Sequence, residues 1–309
     1  MALSAYRYAV QPILPPERPP AMTHKHIQSI HPAVRDDIGD LLTQRPLPAP
    51  HLAQIDPFLF LNHHGPQTYA PHNRGLPFGP HPHRGFETVT FIVDGMLAHR
   101  DSAGHESVIH AGGVQWMTAG RGIVHAEVSP REFLETGGPL EILQLWVNLP
   151  PSLKMSEPAY TGLQRDQIPA LRLDDGRITL NLIAGEWEGT TGPVQSSTGV
   201  FMSTVALQAG ASLRITDLHV RSVLLYVVRG RIGVGEYDDL VNAYHLVELG
   251  EHGDTLEIRA DIDSLLLFGH ADPIREPVVA HGPFVMNTRE EIVQAVTDYQ
   301  AGRFGSALG

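Results

Sequence analysis

Two histidines at i and i+2, His81 and His83, lie in the stretch Phe78-GPHPHRGFETVTFIVD-Gly95. A third, His125, follows 42 residues after His83 (125 − 83), in Gly120-RGIVHA-Glu127. On a β-strand, residues i and i+2 point to the same face. His81 and His83 therefore make one pair of candidate ligands, and His125 with Glu127 makes a second. Two such strands facing each other inside a small barrel would join three imidazoles to one carboxylate. That donor set suits a borderline divalent metal: Fe, Mn, Ni, Co, Cu or Zn. Two carboxylates compete for the fourth place, Glu127 and Glu87, the latter reached from His83 by counting in twos. Spacing alone does not decide between them.

The elements that must carry these residues are short β-type runs broken by Gly, Pro and Asp. Thr88-VTFI-Val93, Ser107-V-Ile109, Gly113-VQW-Met117 and Leu140-EILQLWVN-Leu149 are of this kind. Runs so spaced predict a sandwich or barrel of antiparallel strands. Pro150-PSLKMSEPAYTG then reads as a polar crossover. The β texture returns in Arg177-ITLNLIAG, Val200-FMSTVALQAG, Ser222-VLLYVVRGRIGVG and Ser264-LLLFG. The division predicted is an N-terminal barrel with the metal site over 1–160 and a C-terminal barrel without metal over 161–309. Val89-TFIVD-Gly95 and Leu224-LYVVR-Gly230 suggest a duplication at an offset of 135 (230 − 95). That offset sets Thr216 and Leu218 where His81 and His83 stand, and Ser222 where Glu87 stands. If the halves are related, the second has lost the site. Most of the 18 histidines lie before residue 150, which points the same way. At the C-terminus, Thr288-RE-Glu291 forms a capping box. Ile292, Ala295, Val296 and Tyr299 then share one face of a predicted helix, ended at Gly302.

Composition removes several classes. The net charge of −12 argues against broad binding to nucleic acid or anionic membrane. With no cysteine, disulfides and thiolate metal sites are impossible. No apolar run approaches the ~20 residues needed to cross a bilayer. MALSAYRYAVQPILPPERPP lacks a signal-peptide layout, so a cytoplasmic protein is expected. Residues 10–22, rich in proline, are expected to be extended or mobile.

Other chemistry-bearing residues take plainer readings. His63-His64, in Asn62-HHGP, reads as an exposed loop pair. His99 and His105 bracket a hairpin turn, Arg100-DSAG, and are expected to be exposed or at a barrel mouth. Trp116 and Met117 read as core, and Glu290 and Glu291 as helix capping. Arg84 is either a cation that steers an anionic substrate or half of a structural salt bridge.

Gly75-x5-HxH-x3-Glu87, closed by Gly95, is similar to the first cupin motif with one extra residue before the final glycine. Gly120-x-Gly122-xx-His125 is similar to the second. The longer strings are more specific. His81-PHRGFETVTF, Gly113-VQWMTAGRGIVHAE, Gly282-PFVMNTREEIVQAVTDYQAGRFG and Asp56-PFLFL closely resemble the pirin family, over residues 50–305.

The resemblance implies an all-β bicupin: two antiparallel jelly-roll β-barrels face to face, with a short C-terminal helix. It implies one iron in the N-terminal barrel, held by His81, His83, His125 and Glu127, with Glu87 a nearby non-ligand. It implies an enzyme first. Bacterial and mammalian pirins look like quercetin 2,3-dioxygenases, which open a flavonol ring with O2 and release carbon monoxide. The cofactor would then be Fe(II), and the partners a flat aromatic, flavonol-like substrate and O2. Glu127, as a ligand that can loosen, would be the catalytic base for the substrate hydroxyl. Phe78, Phe86, Trp116 and Met117 could line an apolar mouth. The alternative is a redox-sensing regulator: eukaryotic pirins resemble transcription co-regulators that act through protein partners, and some bacterial relatives resemble modulators of metabolic enzymes. A third reading, a storage cupin with a relic metal, sits poorly with an intact ligand set. A monomer is expected, without direct contact to nucleic acid or membrane.

Overall fold

The computed structural model describes residues 23–235 and 238–305. The Pro-rich stretch 10–22 lies outside them. Both faces of the strand Phe86–Asp94 are covered. Val89 and Phe91 leave it on one side, Phe86, Thr88, Thr90 and Ile92 on the other, and all are buried. A strand of this kind must lie between two layers.

The layers are sheets of antiparallel strands. One seven-stranded sheet runs Ala159–Leu163, Val114–Thr118, Phe86–Asp94, Gly138–Asn148, Phe58–Tyr69, Thr43–Leu47, Val34–Arg35. A second runs Ile27–Pro32, His245–Leu249, Ser222–Arg229, Ser264–Ala271, Phe201–Leu207, Ile178–Ala184, Ala170–Leu173. The two sheets share one apolar core, to which Val89, Phe91, Leu143 and Leu145 contribute from the first and Met202, Leu224, Tyr226 and Leu267 from the second. On its far side each sheet is closed by four strands. In the first half these are Phe78–His83, Ile123–Val128, Met96–Asp101 and Glu106–His110. In the second they are Ser212–Ile215, Leu256–Ala260, Arg231–Val234 and Asp239–Asn242. This is the all-β pair of barrels facing each other that was expected.

The two strand orders correspond position by position, and the strands proposed as an internal match, Phe86–Asp94 and Ser222–Arg229, stand third in their respective sheets. The outermost strands are exchanged. Ile27–Pro32 pairs with His245–Leu249 in the second sheet, and Ala159–Leu163 pairs with Val114–Thr118 in the first. Each half thus lends the other an edge. The stretch read as a crossover contains one of these edge strands. It also holds Lys154, which is buried and donates to the carbonyls of Gly85 and Val285 and to Asn148.

His63 and His64 are not an exposed loop pair. They lie in the twelve-residue strand Phe58–Tyr69 and are 0% and 1% exposed. His63 faces the interface between the barrels, where Tyr226 donates to its Nδ1 at 2.9 Å and its Nε2 donates to Glu141 at 2.8 Å. Arg229 pairs with the other oxygen of Glu141. The helix Arg289–Gln300 carries the expected capping box: Thr288 Oγ1 accepts from the Glu291 amide and Glu291 Oε2 accepts from the Thr288 amide. Its Ile292 and Ala295 are buried and Tyr299 is partly exposed. A second helix, Arg131–Thr136, was not anticipated. No helix among the described residues is long and apolar enough to cross a membrane.

Candidate metal centre

His81 and His83 end the strand Phe78–His83, which runs antiparallel to Ile123–Val128 with His81 directly opposite His125. Side chains directly opposite each other share a face, so the three imidazoles meet. Their nearest ligand nitrogens all lie within 4.8 Å of one another. Ring centroids are 4.8 Å apart for His81–His83, 4.4 Å for His81–His125 and 4.9 Å for His83–His125. His83 and His125 are buried and His81 is half-buried, so the group is approached from the His81 side.

The ring orientations suit a cation. His81 Nδ1 donates to the Gly79 carbonyl at 2.7 Å, and His83 Nδ1 to the Pro283 carbonyl at 3.3 Å. With Nδ1 protonated, the Nε2 lone pair of each is free, the usual arrangement behind a metal-binding histidine. Both nitrogens of His125 are buried without a hydrogen-bond partner. An orphaned imidazole of this kind costs free energy unless something binds it. Burial, helped by the neighbouring His81, holds His83 down to about 3, and burial pushes His125 well below the ordinary range. Neither carries a proton that would compete with a metal at neutral pH. The donor set therefore fits a divalent ion.

The two carboxylates have different fates. Glu127 is buried on the same face as His125. Its Oε1 accepts from Thr90 at 2.8 Å and from Gln115, and its Oε2 accepts from Gln144. Its carboxylate is not part of the group of ligand atoms that meet within 4.8 Å. Glu87 leaves its strand on the opposite face from Thr88 and Thr90. Counting in twos from His83 fails because the chain turns between sheets at Gly85, whose φ of +88° breaks the strand phase. Glu87 accepts instead from Thr118 at 2.7 Å, and burial raises its pKa.

Around the trio, Phe86 lies 5.0 Å and Trp146 5.4 Å from the His83 ring, and these two rings lie tilted against each other with centroids 4.4 Å apart. Trp116 belongs to the core between the barrels, and Met117 to a small cluster with Ala119 and Ile123. Phe78 rests on His64. His99 is buried, not exposed. It faces the barrel interior opposite Glu127, stacks on Tyr160 at 4.1 Å and donates to Asp101 at 3.1 Å. Thr90, Gln115, Gln144 and Trp146 were not singled out from the sequence. Each sits at an alternate position on the barrel side of its strand, so the two-residue period was the signal available.

A family model for pirin matches residues 40–147, and one for the pirin C-terminal cupin domain matches 202–305. The chain belongs to the pirin family. A Pseudomonas aeruginosa protein provisionally named quercetin 2,3-dioxygenase is 41% identical over 81% of this chain and 87% of its own length. Human pirin is 36% identical over 85% of this chain and 87% of its own. Among solved structures, a quercetin 2,3-dioxygenase from Acinetobacter baumannii superposes with a TM-score of 0.87 at 33% identity. It covers 92% of this chain and 100% of its own. This pirin is thus a bicupin throughout, with a histidine trio that could hold a metal in its first barrel.

Proposed function

We propose that this pirin is a metal-dependent dioxygenase that opens the ring of a flavonol such as quercetin with O2 and releases carbon monoxide. The observation that carries the reading is the meeting of His81, His83 and His125 with their ligand nitrogens unengaged. His81, His83, His125 and Glu127 would hold one divalent ion, Fe(II) by family, although imidazoles accept most first-row metals. When bound, the ion acidifies a substrate hydroxyl by the logic that acidifies bound water.

The chain's own residues do the rest. Trp146, partly exposed beside His83, offers an aromatic wall to a flat substrate. Thr90, Gln115 and Gln144 hold the Glu127 carboxylate in one orientation. Oε1 already accepts from two donors, whereas Oε2 accepts from Gln144 alone and keeps a lone pair that could take the hydroxyl proton. Burial of His83, His125 and Glu127 keeps bulk water from the reacting region.

The test is anaerobic reconstitution with Fe(II), followed by quercetin and O2, with flavonol loss and carbon monoxide measured together. His125→Ala should abolish both metal retention and turnover. Glu127→Gln should lose turnover more than metal. Full activity in metal-depleted His125→Ala would overturn the proposal. A protein that holds one iron and yields no carbon monoxide would direct the work to the redox-regulator reading and to partner capture in each oxidation state.

A further inference from the structure

Residues 279–305 belong by sequence to the second half, yet they tie down the two chain segments that carry His83 and His125 in the first. Arg84, next to His83, is bound along its backbone: its amide donates to the Pro283 carbonyl at 3.4 Å, and its carbonyl accepts from the Val285 amide at 3.0 Å. Its side chain runs on into the C-terminal helix. Nη1 donates to Asp298 at 2.9 Å, Nε donates to the Arg121 carbonyl at 2.6 Å, and the guanidinium lies 4.6 Å from the centre of the Phe304 ring. Asp298 is held in turn by Gln294 and Arg303, each at 2.8 Å. The pair is buried, with 4% and 9% of the two side chains exposed. Arg84 is therefore half of a structural salt bridge, the second of the two readings of it, and its guanidinium is not free to steer a substrate.

The segment before His125 is held by the same piece of chain. Arg121, whose carbonyl receives Arg84, adjoins Gly122, where a Cβ would lie 2.6 Å from the Phe304 ring. The second motif's glycine is thus required by the C-terminal residue packed on it. Ser102 Oγ donates to the Phe304 carbonyl at 2.6 Å and accepts from the Val124 amide at 3.1 Å, one residue before His125. Val124 packs with Phe284, Ile292 and Phe304. The Pro283 carbonyl that fixes the His83 ring comes from this segment as well.

A buried ion pair is a poor device for stability, because desolvation offsets most of the attraction and apolar residues would fill the space as well. What Arg84–Asp298 supplies is one geometry shared by three pieces of chain. We propose that the C-terminal hairpin and helix form a positioning clamp for the metal centre. Asp298 is its positioning residue, acting through Arg84 on His83 and through the Arg121 carbonyl on the approach to His125. The inference rests on the reading that the histidine trio holds the metal. Groups that orient a ligand from outside typically govern metal affinity by about 10–100-fold.

The experiment uses the full chain, freed of metal and titrated with Co(II). The dissociation constant is read from the visible d–d band, and the band's shape is recorded. Asp298→Asn should weaken Co(II) about tenfold and alter the band. Leu213→Ala, which opens the core of the second barrel away from the clamp, should lower thermal stability and leave affinity and band as in the wild type. Phe304→Leu, which keeps the ion pair and removes the ring over Arg84, should shift both readouts in the same direction as Asp298→Asn. It serves alone if Asp298→Asn does not fold. Wild-type affinity and band in the folded clamp variants would overturn the clamp. A wild-type protein that takes up no Co(II) would instead remove the metal reading beneath it.

Discussion

Acidification should unfold this protein through histidines outside the candidate metal trio. His63, His64 and His270 are buried and neutral, with burial chiefly responsible for holding each down to about 3. In the unfolded chain each returns to about 6.5. A folded value below the unfolded one means that the full contribution is present above pH 6.5. It is lost progressively as pH falls towards 3, because the unfolded state binds the protons first. At pH 5 the loss is about 1.5 pH units at about 1.4 kcal/mol each, or about 2 kcal/mol per histidine and about 6 kcal/mol for three. That matches the whole stability of many domains, about 5–15 kcal/mol. His83 adds to the loss in the metal-free protein, so three protons is a lower bound. The assay is urea unfolding of metal-free protein at pH 7, 6 and 5. Between pH 6 and pH 5 the slope of stability against pH should reach about three protons or more, about 4 kcal/mol per unit for three. In His64→Gln it should fall by about one proton. A slope below one proton in the wild type would show that these buried histidines do not govern acid unfolding.

Two further outcomes follow from single contacts. Tyr226→Phe removes the hydroxyl that donates to His63 Nδ1 across the barrel interface. It should lower urea-measured stability by about 1–3 kcal/mol and leave Co(II) affinity unchanged. Gly85→Ala places a side chain at a φ of +88° against the Val285 carbonyl. It should cost about 1–3 kcal/mol and, by displacing the turn after His83, also weaken Co(II), so a variant with full affinity would show that this turn does not set the site.

Part of the site was legible because strand geometry is local. A period of two puts His81 beside His83 and His125 beside Glu127 wherever those strands go. The glycines of the second motif marked a turn ahead of His125. The same locality explains the capping box at Thr288 and Glu291 and the match between Val89-TFIVD-Gly95 and Leu224-LYVVR-Gly230. It also explains the failures. Asn62-HHGP has the composition of a loop, but a second barrel covers its strand, and Tyr226, 163 residues away, supplies the partner that lets His63 be buried. Whether Glu87 shares the face of His83 depends on the strand keeping its phase past His83. Gly85 ends it because the chain must change sheets there. The partner of Arg84 lies 214 residues away on a helix of the other half. Strand period alone sets which face each histidine leaves from and brings a metal-binding donor set within reach. What stands opposite each residue is set by packing: which edge strands are exchanged, and which carboxylate meets Arg84. A backbone's period is set by neighbouring residues, whereas a contact is set by the packing of segments far apart in the chain.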